Sequence, residues 1–437
     1  MLSTKRFSVL LLVALLSMMV LAPVQAQDSV SIPAAACAEP GPLTVRVWDE
    51  NWAATVQTIV DQWIADYCPG AEVTVNQVPW GQYWDLLKTD ASSGDLPDVF
   101  NIIQAYGQEY VNNDALLDLQ PYLDAAGIDA GVWGEGSVNP YRSSATQDAY
   151  AVPLEWVTVA IYYNKDLFDA AGLEYPQAGW TWDDFAEAAA ALTNPDEGVF
   201  GASVYAQYQG GYGDWIASTG TAPVVSADRT TCTLQEPGSI EALTFLKGLL
   251  DAGYMPSVSQ MGGTSADDAY NLFKSGKVAM YLNGAWKLPN TIEEVTFNWD
   301  IVQMPVNPTS GLSRPVLHAS AWTASANSAN PDLAANLVQY LISDEGQEIF
   351  AQAGGVAPSS PNPALQDVWV NSFDSDVNIQ AFVDARLETQ SATNFNGDSF
   401  NAATADLVIN IFDLGMSVED ATALACETMQ PDLVPAS

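Results

Sequence analysis

AVPLEWVTVAIYYNKDLFDAAG, residues 151–172, joins an apolar run suited to a covered β-strand to the opening of a helix. Its density of Val, Ile and Tyr fits a strand buried on both faces rather than one that alternates with solvent. Glu155 and Trp156, just after Pro153, are poorly explained by core packing. A carboxylate beside an indole at a strand mouth suits contact with a polyhydroxylated ligand. A second helix starts soon afterwards, at Gly179-Trp180-Thr181-Trp182-Asp183-Asp184-Phe185.

Upstream, residues 43–48 (LTVRVW) predict a strand, 53–67 an amphipathic helix and 71–78 (AEVTVNQV) a second strand. A helix over 83–92, a turn at Gly94-Asp95-Leu96-Pro97 and a strand over 98–103 (DVFNII) continue this β-α-β opening. It predicts a parallel sheet with helices on its faces. In such sheets ligands lie beyond the carboxyl ends of the strands. Here those ends are Trp48-Asp49-Glu50, Val78-Pro79-Trp80 and Ile103-Gln104-Ala105-Tyr106. Helices over 110–116 and 119–126 then lead to the opening segment, which reads as the first crossing into a second α/β lobe.

Downstream, helices are expected over 182–192, 239–252 and 266–274, a strand over 278–282 and a turn at Asn283-Gly284-Ala285-Trp286. A return strand follows over 299–304, then a strand over 319–326 and helices over 331–343, 345–353, 377–387, 401–414 and 418–429. The expected division is a signal peptide at 1–26, a flexible lead at 27–36, an N-terminal lobe of 37–150 and 300–360, and a C-terminal lobe of 151–299 and 361–437. The fold class is α/β: two lobes, each a mainly parallel sheet flanked by helices, joined by a hinge of several crossings. Such a hinged cleft is suited to closing around a ligand.

Residues 1–26 have Lys5 and Arg6, an apolar run from Phe7 to Ala22, then Val24-Gln25-Ala26, the pattern of an export signal cleaved after Ala26. The apolar run is short for a membrane anchor. The chain carries 13 Lys and Arg against 53 Asp and Glu; removing Lys5 and Arg6 leaves 11 against 53, a formal charge of −42. That field repels nucleic acid and anionic membranes, and excludes partners better than it identifies them. The four cysteines, Cys37, Cys68, Cys232 and Cys426, favour disulfides in an exported chain, with three possible connectivities. Cys37 precedes the first strand and Cys68 ends the following helix, which brings both to one sheet edge. Cys37 with Cys68 is the preferred bridge, leaving Cys232 with Cys426 to staple the C-terminal helix.

His318 is the single histidine, so a Ser-His-Asp or Cys-His arrangement has one possible base, and no G-x-S-x-G elbow accompanies it. No zinc, Walker or dinucleotide motif occurs, and no cofactor is expected. Asp374-Ser375-Asp376-Val377-Asn378 begins like a calcium loop, but Ile379 and Ala385 stand where glycine and a carboxylate are needed. The 14 tryptophans and 17 tyrosines carry more information. Trp48, Trp52, Trp80, Trp156, Trp215, Trp286 and Trp322 fall in turns, where a flat ring can stack on a sugar while neighbouring amides and carboxylates meet its hydroxyls. Packing is the ordinary alternative for each, and the stronger expectation for Trp63, Trp180, Trp182 and Trp369.

These motifs together resemble the extracellular solute-binding proteins of ABC sugar importers, the family that includes the maltose-binding protein. The resemblance rests on Ser93-Gly94-Asp95-Leu96-Pro97-Asp98-Val99-Phe100, Leu116-Leu117-Asp118-Leu119, Val152-Pro153 through Tyr162-Tyr163-Asn164-Lys165-Asp166-Leu167-Phe168, and Gly179-Trp180-Thr181-Trp182-Asp183-Asp184-Phe185. It continues through Phe273-Lys274-Ser275-Gly276-Lys277-Val278-Ala279-Met280, Asn283-Gly284-Ala285-Trp286 and Tyr340-Leu341-Ile342-Ser343-Asp344-Glu345-Gly346-Gln347. It implies the two-lobed periplasmic-binding-protein fold, no catalysis, a monomer outside the cytoplasm, and delivery of a sugar or oligosaccharide to ABC permease subunits. By resemblance Trp286 stacks on sugar, while Trp48, Asp49, Gln104, Glu155 and Trp156 line the cleft. Trp80, Trp215, Trp322 and Asn394 match more loosely. A receptor for a cationic solute such as a polyamine is the nearest rival, since acids flanked by aromatics hold amines. An anionic ligand would depend on Arg46, Lys88 or Lys287. A secreted glycosidase or lectin is the alternative of a different class.

Overall fold

The computed structural model describes residues 31–433 except 205, 227–228, 318, 356, 387–389 and 392–397. The expected signal segment, His318 and Asn394 lie outside the described residues. The strands are β1 Pro42–Val47, β2 Glu72–Gln77, β3 Val99–Ile103, β4 Ala151–Pro153, β5 Val159–Asn164, β6 Phe200–Ser203, β7 Val278–Gly284, β8 Trp299–Val302, β9 Val316–Leu317, β10 Ser320–Ala324 and β11 Gln390–Ser391. They form two sheets that each carry one lobe, plus a small parallel pair of β9 with β11.

The segment 151–172 behaves as its composition predicts. All six residues of β5 are buried, and at the strand's end the Asn164 side chain accepts from Leu167 N at 3.1 Å, capping the helix Lys165–Ala171. Thr181 and Asp184 then form a reciprocal capping box that opens the helix Trp182–Leu192.

The first sheet runs β2-β1-β3-β10-β4 and the second β6-β7-β5-β8. β1 is parallel to β2 and β3, as the β-α-β opening requires, but β10 is antiparallel to both β3 and β4. In the second sheet β6 and β7 are parallel while β5 opposes β7 and β8. Both sheets are therefore mixed where mainly parallel ones were expected. Strands β5 and β10 each arrive from the other lobe, enter their sheet from the crossing end, and so run against neighbours that point toward it.

The crossings sit a few residues from their expected places. Residues 151–153 stay in the first sheet as β4, and residues 300–302 stay in the second as part of β8. The crossing segments are tied together by backbone bonds, Leu154 N to Ser320 O at 2.9 Å and Trp156 N to Ala357 O at 3.3 Å. The lead is docked rather than flexible at 31–36. Ile32 is buried, Asp344 N bonds to Ile32 O at 3.0 Å, and Gln339 Nε2 reaches Pro33 O at 3.0 Å. An apolar side chain close to helix Pro331–Ile342 has a covered surface to occupy, which outweighs the entropy of a free tail.

Both expected disulfides are present, Cys37–Cys68 with Cα atoms 5.2 Å apart and Cys232–Cys426 at 5.5 Å. The second ties the loop before helix Pro237–Asp251 to the C-terminal helix Val418–Met429.

Candidate functional site

Three junctions at the carboxyl ends of β1, β2 and β3 converge as expected, but as helix starts rather than long loops. Helices begin at Glu50, Trp80 and Gln104, so the helix expected over 110–116 instead occupies Gln104–Asn112. Trp80 and Trp84 are four residues apart on one helix and therefore share a face. Together with Trp48, Trp52, Tyr83 and Tyr106 they make a continuous aromatic cluster. Trp84 stacks on Tyr106 at 4.4 Å and 20°, while Trp80 meets Trp84 nearly perpendicularly at 5.1 Å and 83°. Trp80 is 50% exposed.

This cluster forms one wall of a cavity of about 320 Å³ between the lobes, where Trp80, Trp84, Ile103, Ala105 and Tyr106 face residues of the second lobe. The opposite wall is built by Ala206, Gln207, Tyr208, Gln209, Thr264, Phe400, Asn401, Thr404 and Ala405. The segment Tyr208–Tyr212 is not a regular helix. Gly210 has φ +76°, and a Cβ on Gly213 would lie 2.5 Å from the Tyr208 carbonyl oxygen and 2.6 Å from its ring. Glycine at both positions lets the Tyr208 ring reach the cavity. The Tyr208 hydroxyl is buried and has no hydrogen-bond partner among the described residues, leaving a donor and an acceptor for a ligand. Behind this wall Asp214 is fully buried and accepts from Val316 N at 2.7 Å. Burial pushes its carboxyl up to about 8, against the lowering effect of that hydrogen bond.

Every side chain lining the cavity among the described residues is uncharged. The wall offers ring faces, amides and hydroxyls, a donor and acceptor set for a neutral polyhydroxylated molecule.

Of the contacts expected from sequence, Trp80 lines this cavity. Trp48 is one layer behind, edge-on to Trp80 at 5.4 Å. Asp49 instead caps the helix Glu50–Asp66, accepting from Asn51 N at 2.8 Å and Trp52 N at 3.1 Å. Gln104 is buried and donates to Gly136 O at 3.3 Å. Trp156 is buried against Trp369, with the Arg386 guanidinium 4.6 Å from its ring centre. Trp286, in the turn Ala285–Lys287, is half-buried with its ring folded back over Gly284 and packed on the second lobe's core. Trp215 and Trp322 are corrections. Trp215 is wholly buried among Trp182, Phe185 and Phe245, and Trp322 is wholly buried in β10 near Phe350. Each lies in an element covered on all sides, so neither reaches the cleft. Trp63, Trp180, Trp182 and Trp369 pack in the cores as expected.

Glu155 is at the hinge rather than in the cavity wall. It is buried, accepts from Ser320 Oγ at 2.7 Å across the crossing, and bridges to Pro358 on a third segment. Burial pushes it up to about 7 against the Ser320 hydrogen bond, and the Asp49 charge adds to the rise. Of the cations named for an anionic ligand, Arg46 pairs with Asp90 at 2.6 Å, Lys287 pairs with Asp267, and Lys88 is exposed and absent from the described cavity lining.

The residues missed from sequence are Trp84, Tyr208 and Phe400, while Tyr106 lies in a strand-end segment that the sequence does place at the ligand edge. The i,i+4 spacing of Trp80 and Trp84, and the glycine-rich YQGGYGDW at 208–215, were signals available for two of them, Trp84 and Tyr208.

Two α/β lobes joined by repeated crossings around a neutral, aromatic cleft define a hinged solute-binding protein. The family model of bacterial extracellular solute-binding proteins matches residues 60–379, and the chain belongs to that family. It is 29% identical over 330 residues to a putative binding protein of Brucella abortus (strain 2308), spanning 73% of this chain and 76% of the relative. It is 24% identical over 300 residues to the maltodextrin-binding protein MdxE of Bacillus subtilis (strain 168), spanning 66% of this chain and 67% of that one. In fold it is similar to the ABC substrate-binding protein Lmo0181 from Listeria monocytogenes, solved in complex with cycloalternan, with a TM-score of 0.78 at 21% identity over 90% of this chain and 99% of that one.

Proposed function

We propose that this chain is the substrate-binding component of an ABC importer, and that it takes a neutral sugar or oligosaccharide into the interlobe cleft and delivers it to the permease's membrane subunits. The observation that carries this reading is the chemistry of the cavity wall: aromatic faces on one side, neutral amides and hydroxyls on the other, and no charged side chain among the described lining residues. The maltodextrin named for one relative and the cycloalternan bound to one structural neighbour are of the same chemical kind. A polyamine needs carboxylates beside the rings, and a glycosidase needs a carboxylate pair across the bond it cleaves. The carboxylates expected near the site instead cap a helix (Asp49) or tie the hinge (Glu155).

Closure follows from linkage: a ligand that touches both walls favours the closed arrangement by its differential affinity for it. We also propose export with cleavage after Ala26, which N-terminal sequencing of the secreted protein tests directly. For the ligand, the experiment is a thermal-shift screen of neutral mono-, di- and oligosaccharides beside spermidine, putrescine and sugar phosphates. A ligand of the native state raises the melting temperature. Stabilisation by neutral saccharides alone supports the reading, and stabilisation by polyamines or phosphates alone sinks it.

A further inference from the structure

The rings on each cavity wall are set at angles that one sugar ring cannot satisfy. On the first wall Trp84 is nearly parallel to Tyr106, at 20°, while Trp80 stands at 83° to Trp84. Trp80 and Tyr106, both on the cavity, are therefore closer to perpendicular than to parallel. Trp84 is held between them and backed by Trp48 and Tyr83, which fixes the pair in place. The opposite wall repeats the arrangement, with Tyr208 and Phe400 at 87° and 6.1 Å. A pyranose has one mean plane and stacks on one of two perpendicular faces, leaving the other at its rim.

From this geometry we infer that the cleft is built for a ligand of at least two ring units meeting at a bend, one stacked on Tyr106 and the next on Trp80. The inference rests on the neutral-sugar reading and narrows it from any sugar to a disaccharide or longer. Tyr106, backed by the stacked Trp84, carries the unit deeper in the cleft. Trp80, half exposed at the start of its helix, carries the unit nearer solvent. The amides and hydroxyls of Gln207, Tyr208 and Thr264 face both units from the second lobe.

The test is titration calorimetry with matched mono-, di- and trisaccharide series of glucose, galactose, mannose and xylose on the wild type, Trp80→Ala, Trp80→Leu and Tyr106→Ala. Within the series that binds, the step from one unit to two raises affinity roughly tenfold, the scale of an added aromatic stack. Trp80→Ala and Trp80→Leu both remove that step, so that disaccharide and trisaccharide lose roughly tenfold more affinity than the monosaccharide does. Tyr106→Ala weakens every length. Trp80→Leu retains apolar bulk without a ring, so a shared loss in the two variants reports stacking rather than misfolding. A monosaccharide that binds as tightly as its disaccharide overturns the two-unit inference and leaves the sugar reading standing. So does an equal loss at every length in the Trp80 variants. Binding of no saccharide in any series defeats the sugar reading and this inference with it.

Discussion

Replacing Glu155 with Gln should flatten the pH dependence of stability, by an amount the hinge geometry sets. The Glu155 carboxyl is buried, takes one hydrogen bond from Ser320 Oγ at 2.7 Å, and is raised from 4.5 to about 7. Because the folded-state value is the higher one, the folded chain keeps this proton where the unfolded chain has lost it. Stability from the group is therefore full below about 4.5, falls as pH rises toward 7, and is flat above. A shift of that size corresponds to about 3 kcal/mol in all, most of which falls between pH 5 and pH 8. Glu155→Gln keeps the acceptor for Ser320 and cannot ionise. Urea unfolding of wild type and variant at both pH values should show the variant gaining about 2–3 kcal/mol relative to wild type on going from pH 5 to pH 8. Parallel pH profiles would refute the assignment of a buried, protonatable carboxylate to the hinge.

Asp214, raised to about 8 by burial, acts with the same sign in the second lobe, and Asp214→Asn should reduce the loss of stability between pH 5 and pH 8 as read by the same urea titration. Raising sodium chloride from about 50 mM to about 500 mM should change the dissociation constant of a neutral saccharide less than about twofold by calorimetry, since the described wall has no charge to screen. Gly213→Ala places a methyl 2.5 Å from the Tyr208 carbonyl oxygen; the expected result is about 1–3 kcal/mol of destabilisation together with weaker ligand binding, as Tyr208 is driven from the wall. Opening Cys232–Cys426, which spans 194 residues, should cost about 5 kcal/mol on chain-entropy grounds against about 4 kcal/mol for Cys37–Cys68, which spans 31. Thermal melts of the two double-serine variants check that order.

The fold was legible where local chemistry and burial agree. Residues 159–164 read as a covered strand because every side chain is apolar or caps the next helix, and the β-α-β opening specified its own parallel pairing. The antiparallel members were hidden, since the direction of β10 depends on which side of the hinge the chain returns from. The same limit governs the tryptophans. Trp322 falls within the strand expected over 319–326, where no period-two pattern marks which side is covered, and all five residues of Ser320–Ala324 are buried. Trp215 follows a glycine-rich turn that does reach the cleft, yet it lies on the inward side of the helix Gly213–Ser218 while Tyr208 faces the cavity. Glu155 stands out in the sequence as a carboxylate beside an apolar run. Its partner, Ser320, is 165 residues away, so its role as a hinge tie waited on the structure.

The central claim is that the cleft selects a neutral carbohydrate by stacking and uncharged hydrogen bonds. Titration calorimetry with a single neutral oligosaccharide, its phosphate ester and its amine derivative tests it most directly. The account predicts one-to-one binding of the neutral compound and at least about a hundredfold weaker binding of both charged ones, because a charge placed against an uncharged wall loses hydration without a partner. Tighter binding of the amine or the phosphate than of the neutral sugar would contradict it.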